Sequence, residues 1–159
     1  MKNLIIYLVC ICISFYLYLL KIDNFSFKSK NIDSVNYNIK IPSINLNVNF
    51  TEYSSLDEGL EIHDISKIKN NPLVIMGHSG FGKNVFFNDL EYLNINDLIY
   101  INHNKNTYLF EINDIKYYKK FSYVNVPKEN EYLYLITCDK KDMQKQLIIS
   151  AKLSKISEK

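Results

Sequence analysis

Between positions 44 and 50 the chain alternates strictly, with Ile44, Leu46, Val48 and Phe50 separated by Asn45, Asn47 and Asn49. Successive side chains of an extended strand point to opposite faces. This spacing therefore describes a strand with one face in an apolar core and the other in water. Pro42, just ahead of it, suits a strand start or an edge. Other segments carry strand signals of their own. Leu73–Met76 is a short continuous apolar run, as expected of a strand covered on both faces. Residues 98–102, 107–112, 131–137 and 146–153 are strand segments rich in Ile and Tyr, and 102–106 reads as the hairpin turn between two of them. Helical periodicity is confined to 85–93, where Phe86, Leu90 and Leu93 share a face, and to one turn at 55–60 with Ser54 or Ser55 as its N-cap. Many short strands with so little helix specify a mainly β fold closed into a barrel.

The N-terminus has a different composition. Residues 4–20 are 17 uncharged, mostly apolar residues between Lys2 and Lys21, close to the length that spans a bilayer. The run ends in Tyr, Leu and Lys rather than in the small residues of a cleavage site, so it reads as an uncleaved anchor. Lys2 and the amino terminus favour an inside N-terminus and an outside domain. The expected organisation is an anchor at 1–21, a polar linker at 22–38 and one domain at 39–159.

The net charge is only +2, every cation is lysine, and the sequence contains no arginine. No basic stripe interleaved with aromatics suggests nucleic acid as a partner. Cys10 and Cys12 fall within the apolar run and read as apolar fillers. Cys138 is the one cysteine beyond it, directly after the strand-like 131–137. With no second thiol in the domain it is either a buried small residue or a nucleophile, and an oxidising exterior disfavours an idle thiol. Sixty residues upstream, His78 lies just beyond the apolar run that ends at Met76. A thiol and an imidazole, each at a strand end, suit thiolate chemistry. His63 and His103 read as structural and as a solvated turn residue. Glu58, Glu61 and Asp64 read as solvated carboxylates, and no metal or other cofactor is expected.

Several segments together resemble the sortases. Ile41-Pro42-Ser43-Ile44-Asn45-Leu46 resembles their opening strand. Gly77-His78-Ser79-Gly80, then Phe86-Phe87-Asn88-Asp89-Leu90 and Leu93-Asn94-Ile95-Asn96-Asp97, resembles the catalytic-histidine segment and the helix and strand after it. Tyr108-Leu109-Phe110-Glu111-Ile112 resembles a central strand, and Leu133-Tyr134-Leu135-Ile136-Thr137-Cys138 the strand ending in the Thr-Cys nucleophile. The resemblance covers about 41–153 and implies a sortase-type eight-stranded barrel preceded by one transmembrane helix. It implies a cysteine transpeptidase at the cell membrane of a Gram-positive cell, with its domain outside. The implied partners are exported surface proteins carrying a C-terminal LPxTG-like sorting signal and a peptidoglycan precursor or other amine acceptor. In that chemistry Cys138 forms a thioester and His78 serves as general acid and base. With no membrane span after the domain and no lid-like segment before it, a class A- or D-like type is expected.

The family's third residue is an arginine on the strand after the cysteine. The matching segment here is Gln146-Leu147-Ile148-Ile149-Ser150-Ala151-Lys152-Leu153, which puts Gln146 at that position with Lys145 as the alternative. Adjacent strand residues point to opposite faces, so only one of them serves. Thr137 stands beside the nucleophile as a strand residue or as one that shapes the site. A sortase fold that binds signals with little or no turnover is the alternative expectation.

Overall fold

A computed structural model describes residues 36–67, 71–122 and 129–158. They form one eight-stranded sheet of β1 (Asn36–Ile41), β2 (Leu46–Thr51), β3 (Glu61–Ile62), β4 (Leu73–Met76), β5 (Leu98–His103), β6 (Asn106–Lys119), β7 (Tyr132–Cys138) and β8 (Lys145–Glu158). The order across the sheet is β2-β1-β5-β6-β8-β7-β4-β3. β2 and β3 are its two edges, so the barrel is nearly closed rather than closed. The long antiparallel pair β6–β8 is its spine, and register shifts between Leu109 and Phe110 and between Ile112 and Asp114 break its ladder. Such bulges bend a strand and raise its twist, which suits a sheet that must curl. One pairing is parallel, β4 with β7, with Leu73 beside Leu133 and Met76 beside Ile136.

The interior is apolar. Ile39, Ile41, Ile75, Ile99, Leu135 and Ile149 are fully buried there. Outside the sheet a second cluster of Val74, Tyr134 and Ile148 is also buried, with Tyr118, Tyr132 and Ile136 packed on it. Strands β4, β7 and β8 are therefore covered on both faces, as the unbroken apolar run Leu73–Met76 requires.

Some expectations are corrected. Ile44 does not open the alternating strand: Pro42–Ile44 is a 3-10 turn, Asn45 takes a left-handed φ of 52°, and β2 starts at Leu46. Pro42 presets the turn's φ and Asn tolerates the left-handed region, so these two residues make the β1–β2 hairpin. β1 itself begins at Asn36, inside the stretch read as linker. Nor is 85–93 a two-turn helix. Only Leu90–Tyr92 is helical, as a 3-10 turn, although Phe87, Leu90 and Leu93 are buried as their spacing indicates. Among the described residues no helix is long and apolar enough to cross a membrane, and residues 4–20 lie outside them.

Candidate active site

Cys138 closes β7 as a half-buried free thiol. In β7 the odd residues Leu133, Leu135 and Thr137 are buried toward the interior, and the even ones, Tyr134 and Ile136, pack in the outer cluster. The alternation puts Cys138 on the outer face at the sheet's end. Its antiparallel neighbour across β7–β8 is Gln146, whose neighbour in turn across β6–β8 is Tyr118. Directly opposed residues of adjacent strands share a face. Tyr118, Gln146 and Cys138 therefore form one row.

The histidine segment flanks Cys138 on the other side. Gly77 extends the parallel ladder by one bond, its N–H donating to the Ile136 carbonyl at 3.1 Å. The Thr137 hydroxyl, buried toward the interior, donates back to the Gly77 carbonyl at 2.8 Å. The Ser79 hydroxyl donates to the carbonyl of Cys138 itself. His78 follows Gly77 just beyond the end of β4, with its side chain 43% exposed. The Asp57 carboxylate, fully exposed, lies 3.9 Å from His78 Nε2. Gly77 is required by packing. A Cβ there would stand 2.7 Å from both Leu60 Cδ2 and Phe87 Cδ2, and both side chains are fully buried.

The sortase family model matches residues 32–154, most of the chain. This chain belongs to the sortase family. Sortases are, as a rule, cysteine transpeptidases. Solved sortase structures share the fold. A lid mutant of sortase A from Corynebacterium diphtheriae aligns over 76% of this chain and 70% of its own at 24% identity, with TM-score 0.65. Sortase A of Listeria monocytogenes aligns over 80% and 92% at 18% identity, TM-score 0.67. A sortase D5 transpeptidase of Clostridium perfringens aligns over 77% and 79% at 21% identity, TM-score 0.65. No curated protein matches the chain.

The row beside Cys138 holds the amide of Gln146, one of the two residues the sequence resemblance offered for the family's arginine position. Lys145 lies one position along β8, on the opposite side of the strand, and its ammonium is 3.0 Å from Asp142. That hydrogen bond raises the Lys145 pKa and lowers that of Asp142. The turn joining β7 to β8 is closed by Asp139 N–H to the Lys145 carbonyl at 3.0 Å and Lys145 N–H to the Asp142 carbonyl at 2.8 Å. Its shortness leaves the β7–β8 register intact through Cys138 and Gln146. Lys140 and Lys141 are also engaged, at 2.6 Å and 2.9 Å from the two oxygens of Glu91. Glu91, with only 14% of its side chain exposed, has its carboxyl held below the usual range by these two hydrogen bonds. A narrow cleft at the barrel mouth, lined by Ser79, Phe87, Tyr117, Thr137 and Lys140, reaches Cys138 from this side.

The His63 N–H bonds the Val74 carbonyl at 3.0 Å. Glu58 and Glu61 accept the backbone N–H groups of Ser55 and Leu56, at 3.3 and 3.0 Å, so they cap the turn at 55–59. His103 is no solvated turn residue. It ends β5 and stacks on Tyr37 with ring centroids 4.1 Å apart, and burial lowers its pKa. Sequence reasoning passed over Gly77, Ser79, Asn88 and Glu91. The Gly-His and His-Ser neighbours were visible in the motif, but only the fold assigns them partners.

Proposed function

We propose that this sortase is a single-pass membrane protein, anchored by residues 4–20 with its domain outside the cell. It cleaves an LPxTG-like signal near the C-terminus of exported surface proteins and transfers them to a cell-wall amine. The Cys138 thiolate attacks the threonine carbonyl, and the tetrahedral adduct collapses to a thioester as His78 protonates the departing amine. The acceptor amine then attacks the thioester, gives a proton to His78, and Cys138 leaves as thiolate. The Gln146 amide donates to the oxyanion of each tetrahedral adduct. It supplies a dipole where an arginine supplies charge and a planar fork. The class A- or D-like assignment rests on the sequence resemblance. The observation that supports this reading most is the register that sets Gln146 opposite Cys138 while the seam of β4 and β7 brings the His78 segment to its other side.

The test uses the full chain in detergent with a panel of sorting-signal peptides and an amine acceptor. A thioester on Cys138, detected by mass spectrometry and absent in Cys138→Ala, is the expected result. No adduct with any peptide of the panel sinks the proposal. The missing arginine motivates a second reading, a sortase fold that binds signals with little or no turnover. Gln146→Arg separates the two. A large gain in rate identifies a slow enzyme, and no gain with signal binding retained favours the binding module.

A further inference from the structure

Asn88 takes no part in this chemistry, yet its side-chain amide holds both backbone groups of one residue in the histidine segment. Asn88 Oδ1 accepts the Gly80 N–H at 2.7 Å and Asn88 Nδ2 donates to the Gly80 carbonyl at 3.3 Å. The amide thus takes the place of a neighbouring strand. The segment beyond has little else to fix it. Gly80 and Gly82 sit at φ of 112° and 135° with open space where a Cβ would be, and Phe81 between them is fully exposed. Asn88 itself stands on a firm base. Phe87 before it and Leu90 after it are fully buried. The Phe87 N–H donates to the His78 carbonyl at 3.1 Å. The Asn88 carbonyl accepts the Lys140 ammonium at 2.8 Å, and Lys140 is tied to Glu91. Together with the Ser79 bond to Cys138, these contacts close a loop of interactions from the histidine segment through Phe87–Asn88 to the turn after the cysteine.

We propose that Asn88 is a positioning residue. By clamping Gly80 it fixes where along β7, and at what angle, His78 meets Cys138, without touching substrate. The proposal rests on the pairing of His78 with Cys138 proposed above. Misplacement of a reacting group by about 1 Å can cost about 100-fold in rate, so a clamp two residues from His78 can bear on the rate.

The test reads the alkylation rate of Cys138 by iodoacetamide in the full chain in detergent, from about pH 5 to about pH 10, a window that spans ordinary imidazole and thiol titration. The Cys138 peptide is quantified by mass spectrometry so that Cys10 and Cys12 are read separately. The pairing predicts that His78→Ala has a pH–rate profile different from that of the wild type. Asn88→Ala is expected to move the profile most of the way to that of His78→Ala. Thioester formation should fall about tenfold to 100-fold in kcat with KM unchanged. Asn88→Asp keeps the acceptor for the Gly80 N–H but turns an oxygen toward the Gly80 carbonyl. It should fall between the two, and it decides the matter if Asn88→Ala does not fold. A wild-type profile in the folded Asn88 variants, with His78→Ala shifted, overturns the positioning role. A wild-type profile in His78→Ala itself overturns the pairing, and this proposal with it.

Discussion

The two sides of Cys138 are built in different ways. On the side of β8 a turn of six residues, 139–144, returns the chain directly to Gln146. The covalent connection and the antiparallel ladder suffice to set Gln146 opposite the thiol. On the side of β4 the pairing is parallel, and the histidine comes from a segment 60 positions away. Parallel neighbours cannot be joined by a tight turn. Their alignment at the site is held instead by side chains and close packing: Thr137 on Gly77, Ser79 on Cys138, and Gly77 against Leu60 and Phe87. The hairpin side should therefore respond to changes in chemistry, and the parallel side to changes in shape.

The largest separation of the two is expected at Gln146. Gln146→Leu removes the amide but leaves the ladder in place, so thioester formation should fall about 100- to 1000-fold, the usual loss for one oxyanion donor. The melting temperature should hardly move. A melting temperature that falls in step with the rate would mean that Gln146 is structural and that the contrast is wrong. Gly77→Ala should show the opposite coupling. The new methyl must displace the rings and methyls of two fully buried side chains, at a cost of about 1–3 kcal/mol. Phe87 also bonds the His78 carbonyl, so the rate should fall with the stability, by about tenfold to 100-fold. Urea denaturation beside the peptide assay checks both. An unchanged stability in Gly77→Ala would show that the seam is looser than its contacts imply.

The same contrast governs what the sequence reveals. Strand existence was legible wherever one rule dominated: alternation in Leu46–Thr51, a continuous apolar run in Leu73–Met76, and the hairpin about Asn104. The Thr-Cys strand end was legible because Cys138 directly follows its apolar run, but the sequence left Gln146 and Lys145 as alternatives, and only the ladder pairs Gln146 with Cys138. The helix expected at 85–93 was not formed, because burying Phe87, Leu90 and Leu93 needs only that they point inward, which a turn and a single 3-10 segment achieve. His103 looked like a solvated turn residue because its stacking partner Tyr37 belongs to a strand that the polar composition before Ile39 concealed. Asn47 and Asn49 read as simply wet. They are exposed as read, and they are also bonded across the strands, each with an Oδ1 at 2.8 Å from Asn38 Nδ2. Asn88 and Glu91 carry no local pattern at all, since their partners, Gly80 and two lysines after Cys138, are chosen by tertiary contact.

A smaller effect is expected where the two sides are linked, at Glu91. Its carboxyl pKa is lowered in the folded state by hydrogen bonds from Lys140 and Lys141. A depressed carboxyl contributes stability that is fully present above its unfolded value, about 4.3 for Glu, and is lost as pH falls through the folded value. The stability gap between wild type and Glu91→Gln should therefore be constant near neutral pH and close below about pH 4. Urea titrations at several pH values measure it, and a gap that widens in acid would contradict the assignment.

The smallest effect is expected at Lys145, and it tests the contrast most narrowly. Lys145 is adjacent to Gln146 in sequence and is the nearer substitute for an arginine in charge. If charge near the thiol were what the site needs, Lys145→Met should be as damaging as the loss of Gln146. The ladder argues otherwise. Lys145 pairs with Lys119 on β6, on the face away from Cys138, and its ammonium is bonded to Asp142 within the β7–β8 turn. An exposed pair of this kind contributes little to stability. Lys145→Met should leave thioester formation within about twofold of wild type, since it removes no group from the row of Tyr118, Gln146 and Cys138. A loss approaching that of Gln146→Leu would mean that the turn opens during catalysis and delivers the ammonium to the oxyanion. The hairpin side would then depend on movement, and its register would no longer explain the site.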